Sequence, residues 1–229
     1  MAMGLGELVL EHADEARLAS DIAQRLGRVQ EVLVRINPMR EPRGFGASMA
    51  ATPSQFGIDE EDMGAELPGI AALPGLRLIG FHVYSGTNCR DPQAIAENFA
   101  IFADIFRRAQ AITGIRPTRL VFGSGFGLNY LPSEGPLDHD ALPALINPVI
   151  DDLRAEPAFN DARCNLELGR WLVGPVGWLL TGVMSAKQSR GSAVRTRFWP
   201  GTRALSASPA IHWTSSRRTW IWRARWARN

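Results

Sequence analysis

Short apolar segments and amphipathic segments alternate through most of this chain, and that alternation limits the folds it can adopt. Residues 29–36, 76–83 and 118–122 are rich in β-branched and other apolar side chains, which is typical of buried strands. Residues 92–112 place apolar side chains at helical spacing and are followed by Gly114, a residue type that commonly ends helices. Strands separated by helices predict an α/β fold with a parallel sheet, either open or closed into a barrel.

The same criteria predict the remaining elements. Helices are expected over residues 11–26 and 138–153, and the acidic run 59–62 suits a first helical turn. Residues 40–52 are predicted to form a loop, one short strand is expected to end at residues 165–168, and another to cover 176–184. Residues 192–229 follow neither a period of 2 nor one of 3.6, so no packed element is predicted there.

Three polar motifs stand where predicted strands end. They are residues 81–86 (FHVYSG), 123–127 (GSGFG) and 167–170 (ELGR). Because the carboxyl ends of parallel strands meet at one edge of a sheet, we expect the three motifs to share a site. A histidine, a glycine-rich turn and a carboxylate with an arginine can stack on a planar ring, bind a phosphate and pair with a ring nitrogen. Those are the requirements of a pyridoxal phosphate site.

In this order, the motifs resemble those of the fold-type III pyridoxal-phosphate-dependent decarboxylases, which include the diaminopimelate, ornithine and arginine decarboxylases. The resemblance runs from about Val32 to Gly191 and also includes residues 35–38 (RINP), 54–57 (SQFG), 128–130 (LNY) and 187–191 (KQSRG). It implies a partial (β/α)8 TIM-like barrel of the alanine racemase type over residues 1–191, with roughly five of the eight βα units. The C-terminal β-domain of the family is not recognisable in this sequence.

The resemblance also assigns roles to individual residues. It implies that His82 stacks on the cofactor ring, that Glu167 pairs with the pyridine nitrogen, and that Tyr130 lines the mouth of the site. The implied phosphate contacts come from Ser85, Gly123, Ser124, Gly125, Phe126, Gly127, Gly169 and Arg170. Each has a structural alternative: a core histidine, a Glu167–Arg170 salt bridge, and glycines that a tight turn requires in any case. No metal site is expected, because His12, His139 and His212 lack ligand spacing.

Several positions depart from the family pattern. Ser124 replaces the middle glycine of the turn, Val121 stands where an acidic or amide residue is usual, and Asn129 and Leu168 stand where prolines are common. Weaker phosphate binding is therefore expected. The lysine that forms the Schiff base in the family is expected upstream of this sequence, and the single lysine, Lys187, matches a different basic position.

By resemblance, the expected activity is decarboxylation of an amino acid, with diaminopimelate as the default substrate and carrier-bound aminoacyl groups as an alternative. Family members are homodimers. Without the lysine, the chain alone is expected to be inactive, and a non-catalytic cofactor-binding fragment or a pseudogene product are the competing hypotheses. No apolar run is long enough to span a membrane, the start lacks the features of a signal peptide, and the two cysteines suit a reducing compartment. These observations favour a cytoplasmic location.

The charge distribution changes abruptly near residue 167. Residues 1–167 contain 14 arginines and all 23 acidic residues, whereas residues 168–229 contain ten arginines, Lys187 and no acid. Five of the seven tryptophans fall in residues 199–229. We interpret residues 192–229 as an irregular Arg/Trp-rich tail, translated out of frame after a shift near residue 191. Binding of the tail to an anionic membrane or to nucleic acid is the less favoured alternative, so neither partner is expected.

Overall fold

In the computed structural model of the chain, residues 1–40, 44–45, 47–48, 54–130 and 134–176 are described. Four short segments follow, 185–188, 194–197, 212–216 and 219–223. Side chains are described only up to residue 176. The predicted strand over 176–184 lies outside the described residues apart from Val176, which ends a short 3-10 helix, Gly174–Val176.

Five parallel strands form the main sheet. They are β1 (Glu7–Leu10), β2 (Gln30–Asn37), β5 (Leu76–Tyr84), β7 (Arg119–Gly123) and β8 (Arg163–Glu167), in this spatial order. A two-residue strand, β4 (Ile58–Asp59), also pairs with the end of β2. Consecutive strands are therefore neighbours, as expected for a βα-repeat, and the predicted parallel α/β fold is confirmed.

Helices connect the strands and cover one face of the sheet. They are α1 (Ala13–Arg25), α2 (Met63–Ala71), α3 (Pro92–Thr113), α4 (Leu142–Ala155) and α5 (Gly169–Val173), and a 3-10 turn at Glu60–Asp62 precedes α2. Asp91 caps α3 by accepting a hydrogen bond from the Gln93 amide, and Gly114 ends it with φ of 66°. None of the helices in the described part of the chain is both long enough and apolar enough to span a membrane.

The core lies between this helical layer and the sheet. Four phenylalanines from α3 and β7 form its centre. Phe99 stacks on Phe122 at 4.9 Å between ring centroids, and Phe106 meets the same ring edge-on at 5.1 Å. The fourth, Phe102, lies 6.1 Å from Phe122. The opposite face of the sheet carries a small apolar cluster of Leu33, Ile79 and Val121, and polar side chains elsewhere.

The sequence analysis did not predict strand β1. It has four residues, of which only Leu10 is buried, so its apolar signal is short. Pairing with β2 orders it, and Glu7 on its polar face forms an ion pair with Arg119 of β7. A second ion pair, between Arg35 and Glu11 at 3.2 Å, follows at the end of the strand.

Short antiparallel pairs complete the described structure. β3 (Ala47–Ser48) pairs with β6 (Gly86–Thr87), β9 (Ser185–Gln188) with β10 (Val194–Arg197), and β11 (His212–Ser216) with β12 (Thr219–Arg223). The sequence analysis predicted no packed element in residues 192–229, and the strands described there pair only in these two-stranded units. The division at residue 191 stays a prediction.

Candidate active site

The three predicted motifs meet at the carboxyl edge of the sheet. Strand register places Tyr84 of β5, Gly123 of β7 and Glu167 of β8 in one row across adjacent strands. His82 lies one pleat earlier on the same face as Tyr84, since alternate residues of a strand share a face. The row therefore joins the His82 motif, the glycine-rich turn and the Glu167 motif, as the sequence predicted.

His82 and Glu167 form a hydrogen-bonded pair at this edge of the sheet. His82 Nε2 lies 2.9 Å from Glu167 Oε2, across β7, which runs between their strands. The His82 side chain is 6% exposed, whereas the Glu167 side chain is 55% exposed. The pKa of Glu167 lies below its ordinary value, chiefly because of the hydrogen bond from His82. Partial burial opposes this shift, and the charges of His82 and Arg35 add to it. A buried histidine thus holds an ionised, solvent-accessible carboxylate.

We expect the free energy of unfolding to depend on pH through Glu167. The pKa of Glu167 is lower in the folded state than in the unfolded state. The ionised carboxylate therefore stabilises the fold fully at a pH above the unfolded-state pKa, and this stabilisation is lost as the pH falls through the folded-state pKa. We expect the stability difference between the wild type and Glu167→Gln to shrink on acidification, as measured by urea unfolding at stepped pH. Glu97→Gln, which changes an exposed carboxylate on α3, is the control variant. A difference that stays constant with pH for Glu167→Gln would contradict this account.

The glycine-rich turn follows β7 directly. Gly125 has φ of 65°, and a Cβ built there would lie 2.5 Å from Gly86 O, so only glycine fits. Cys89 donates its amide to Gly125 O at 3.0 Å and accepts the Gly127 amide at 2.7 Å, which joins the turn to the segment after β6. These glycines have the structural role that tight turns require, and they also keep backbone next to the row of site residues.

Asn88 forms a further hydrogen bond between these two loops, and the sequence analysis did not identify it. It has φ of 63°, which is uncommon for a residue with a side chain, and its Oδ1 accepts the Leu128 amide at 3.0 Å. Asparagine tolerates this left-handed conformation better than most residues. The only sequence signal was an asparagine directly after the YSGT segment.

The two predicted serine contacts are buried. Ser85 is fully buried, and its hydroxyl has no hydrogen-bond partner among the described residues. Ser124 is also fully buried and donates to Phe122 O at 3.1 Å. Thr87, which the sequence analysis did not single out, is instead partly exposed, and its Oγ1 accepts a hydrogen bond from Arg170 Nε at 3.1 Å. The accessible hydroxyl of this loop is therefore that of Thr87.

Arg170 at the start of α5 is held by two neighbours. Its Nε donates to Thr87, its Nη1 donates to the Tyr130 hydroxyl, and its guanidinium carbon lies 5.8 Å from the centre of the Tyr130 ring. Among the described residues no carboxylate lies within ion-pair distance of it, so the alternative of a Glu167–Arg170 salt bridge is not seen. Next to it, Trp171 Nε1 donates to His139 Nε2 at 2.8 Å and ties α5 to the segment before α4.

The arrangement offers an ionised carboxylate on one side and an unneutralised guanidinium with a glycine-rich turn on the other. A guanidinium and backbone amides suit a phosphate, and a carboxylate suits a protonated ring nitrogen. No group of three or more His, Cys, Asp or Glu side chains in the described part of the chain is arranged to hold a metal ion.

Comparison with protein families gives a match that covers most of this structure. Residues 1–174 match the model of the pyridoxal-dependent decarboxylases, pyridoxal binding domain. The match begins upstream of Val32, where the sequence analysis placed its start, and so includes β1 and α1. It ends before residues 187–191, so the last motif quoted for the resemblance lies outside it.

Curated relatives carry decarboxylase names. The L-glutamyl-[BtrI acyl-carrier protein] decarboxylase of Niallia circulans is 27% identical over 188 residues, which is 82% of this chain and 44% of the relative. A diaminopimelate decarboxylase of Methanothermobacter thermautotrophicus is 32% identical over 136 residues, which is 59% of this chain and 32% of the relative. The chain thus spans less than half the length of these relatives.

Solved structures agree in fold. The diaminopimelate decarboxylase of M. jannaschii in co-complex with L-lysine superposes with a TM-score of 0.64 at 23% identity, over 80% of this chain and 42% of that one. The arginine decarboxylase of Paramecium bursaria Chlorella virus gives a TM-score of 0.59 at 19% identity, over 83% and 46%. At these identities the likeness supports the fold, which is that of the barrel domain of both enzymes.

Proposed function

The chain belongs to the pyridoxal-dependent decarboxylases, and from that premise we propose that its strand-end site binds pyridoxal 5′-phosphate for the decarboxylation of an amino acid. The observation that carries this proposal is the ionised, half-exposed Glu167, which buried His82 holds in the same row as the glycine-rich turn. When bound, pyridoxal phosphate supplies an electron sink for the pair of electrons that loss of CO₂ leaves on the α-carbon.

Glu167 would stabilise the protonated pyridine nitrogen. His82 donates to Oε2, which leaves Oε1 without a hydrogen-bond partner among the described residues, and the Glu167 side chain as a whole is 55% exposed. The lowered pKa keeps the carboxylate charged at neutral pH, and a charged carboxylate favours a proton on the ring nitrogen. His82 acts in this proposal as the residue that orients the carboxylate.

Arg170, Gly169 and the turn from Gly123 to Gly127 would hold the phosphate. The Arg170 side chain is fixed through Thr87 and Tyr130 and has no carboxylate partner in the described structure, so its charge is available to an anion. The turn adds to this proposal through its place directly after β7, and Gly125 and Gly127 allow it to pack closely against Gly86 and Cys89. Phe126 lies within the turn and is buried in the core.

The substrate class follows from the names of the relatives. They act on diaminopimelate, on an aminoacyl group carried by a protein, and on 2-[(L-alanin-3-ylcarbamoyl)methyl]-2-hydroxybutanedioate. We propose an amino acid or a carrier-bound aminoacyl group as substrate, with diaminopimelate as the default, and a homodimer as the assembly.

A second candidate is cofactor binding without catalysis. It is considered because Lys187, the single lysine of this sequence, lies outside residues 1–174, which match the pyridoxal binding domain. Under this candidate the chain retains the cofactor tightly but does not release CO₂ from any of the substrates named above. Measurable decarboxylation by the chain alone would exclude it.

Binding of pyridoxamine 5′-phosphate tests the proposed site directly. This amine form of the cofactor cannot react with Lys187, so calorimetric titration of the full chain measures the non-covalent site alone. We expect saturable binding, weakened roughly 10- to 100-fold by Glu167→Gln, because a charge-assisted hydrogen bond contributes about 1.5–3 kcal/mol. Glu97→Gln, on the exposed surface of α3, is the control and should leave binding unchanged. A chain that shows no saturable binding would overturn the proposed function.

A further inference from the structure

We propose that Glu134 is a positioning residue, which fixes Arg170 for binding a phosphate by acting through Tyr130. This inference rests on the proposed function, because it concerns the phosphate end of the same site. The sequence analysis gave Glu134 no role. In the structure two contacts link it to Arg170, one to the backbone of Tyr130 and one from the side chain of that tyrosine.

The Glu134 carboxylate holds the backbone of Tyr130 against an arginine. Its Oε2 accepts the Tyr130 amide at 2.7 Å, and its Oε1 lies 3.2 Å from Arg90 Nη2. The side chains of Glu134 and Arg90 are only 24% and 28% exposed, so water competes little for these contacts. A hydrogen bond to a charged carboxylate is stronger than one between neutral groups, and this one fixes the backbone position of Tyr130.

The loop that follows β6 holds the chain on both sides of Tyr130. Before this residue, the Leu128 amide donates to Asn88 Oδ1 at 3.0 Å. After it, Arg90 Nη1 donates to Gly135 O at 3.2 Å, in addition to its ion pair with the neighbouring carboxylate. The backbone that carries Tyr130 is therefore attached at both ends to the same loop.

The Tyr130 side chain transmits this constraint to Arg170. Its hydroxyl accepts a hydrogen bond from Arg170 Nη1, and its ring centre lies 5.8 Å from the guanidinium carbon. Thr87, at the end of β6, accepts the Nε of the same arginine at 3.1 Å. The β6 region thus supplies one acceptor itself and fixes the other through the Arg90–Glu134 pair. A guanidinium that is already held loses less side-chain freedom when it binds an anion.

A double-mutant cycle measures whether Glu134 acts through Tyr130, with calorimetric titration of the full chain by pyridoxamine 5′-phosphate. We expect Tyr130→Phe and Glu134→Ala each to weaken binding roughly 3- to 10-fold, because Arg170 must then be ordered by the ligand. In the Tyr130→Phe background, Glu134→Ala should add less than about twofold, since the hydroxyl through which it acts is already gone. Glu134→Gln can still accept the Tyr130 amide and should retain most of the affinity. Asp152→Ala, which breaks the exposed ion pair with Arg107, is the control.

Failure of this inference can be distinguished from failure of the proposed function. If the wild type binds the probe and the losses from Tyr130→Phe and Glu134→Ala add, Glu134 does not act through Tyr130, and only this inference is refuted. Unchanged binding by Glu134→Ala refutes it equally. If the wild type binds no probe, both proposals fail. Far-ultraviolet dichroism and thermal melting of each variant check folding. Arg90→Met, which removes the partner of Glu134, takes the place of Glu134→Ala in the cycle should that variant not fold.

Discussion

Replacing Phe122 with alanine is expected to lower the free energy of unfolding by about 3–5 kcal/mol, the range seen for buried aromatic side chains. Phe122 is fully buried on β7, and its ring contacts those of Phe99, Phe102 and Phe106. Truncation would open a cavity between the sheet and α3, where the Phe122 ring contacts all three of these rings. Urea denaturation followed by far-ultraviolet dichroism measures the loss.

Leu166 supplies a matched control for this experiment. It lies opposite Phe122 in the register between β7 and β8, on the same side of the sheet, yet it is 43% exposed. Because close to half of its surface stays in contact with water, Leu166→Ala should cost clearly less than Phe122→Ala, about 1 kcal/mol. Equal losses for Phe122→Ala and Leu166→Ala would mean that the core does not lie between α3 and the sheet.

The strands and helices that the sequence predicted are those with long or strongly patterned apolar segments. The predicted strand 118–122 corresponds to β7, and the predicted helix 92–112 corresponds to α3, where Asp91 and Gly114 give clear end signals. The helix predicted from residue 138 begins instead at Leu142, after a turn in which Asp138 accepts amide hydrogen bonds. β1 could not be predicted, because pairing with β2, a tertiary contact, is what orders its four residues.

The location of the site was predictable and its internal geometry was not. Strand ends place His82, Gly123 and Glu167 at one edge in any parallel sheet, so the grouping follows from topology. Whether His82 faces a ligand or supports Glu167 depends on burial and on a 2.9 Å contact, and neither is visible in the motif. For the same reason the sequence analysis assigned a phosphate contact to Ser85, although Thr87 carries the more accessible hydroxyl. The roles of the individual site residues therefore remain predictions until binding is measured.

Replacing Arg108 with methionine is expected to cost about 2–3 kcal/mol, because it leaves Glu60 buried without its cationic partner. The Glu60 side chain is 6% exposed, accepts the Met39 amide at 2.8 Å and forms an ion pair with Arg108 of α3. It therefore joins α3 to the segment that follows β2. The expected cost is below the range of about 3–5 kcal/mol for fully buried pairs, because Arg108 is itself 42% exposed and water can partly reach the gap.

Substitution of Arg107 tests whether burial of the acidic partner causes the loss of stability expected for Arg108→Met. It is the next residue along α3 and forms two ion pairs, with Asp152 and Glu156, but these partners are 76% and 39% exposed. Water can solvate both carboxylates once the arginine is gone, so Arg107→Met should cost less than about 1 kcal/mol. Urea unfolding of the two variants side by side gives the comparison. If Arg107→Met proves as destabilising as Arg108→Met, the number of ion pairs rather than the burial of Glu60 determines the loss, and this explanation is wrong.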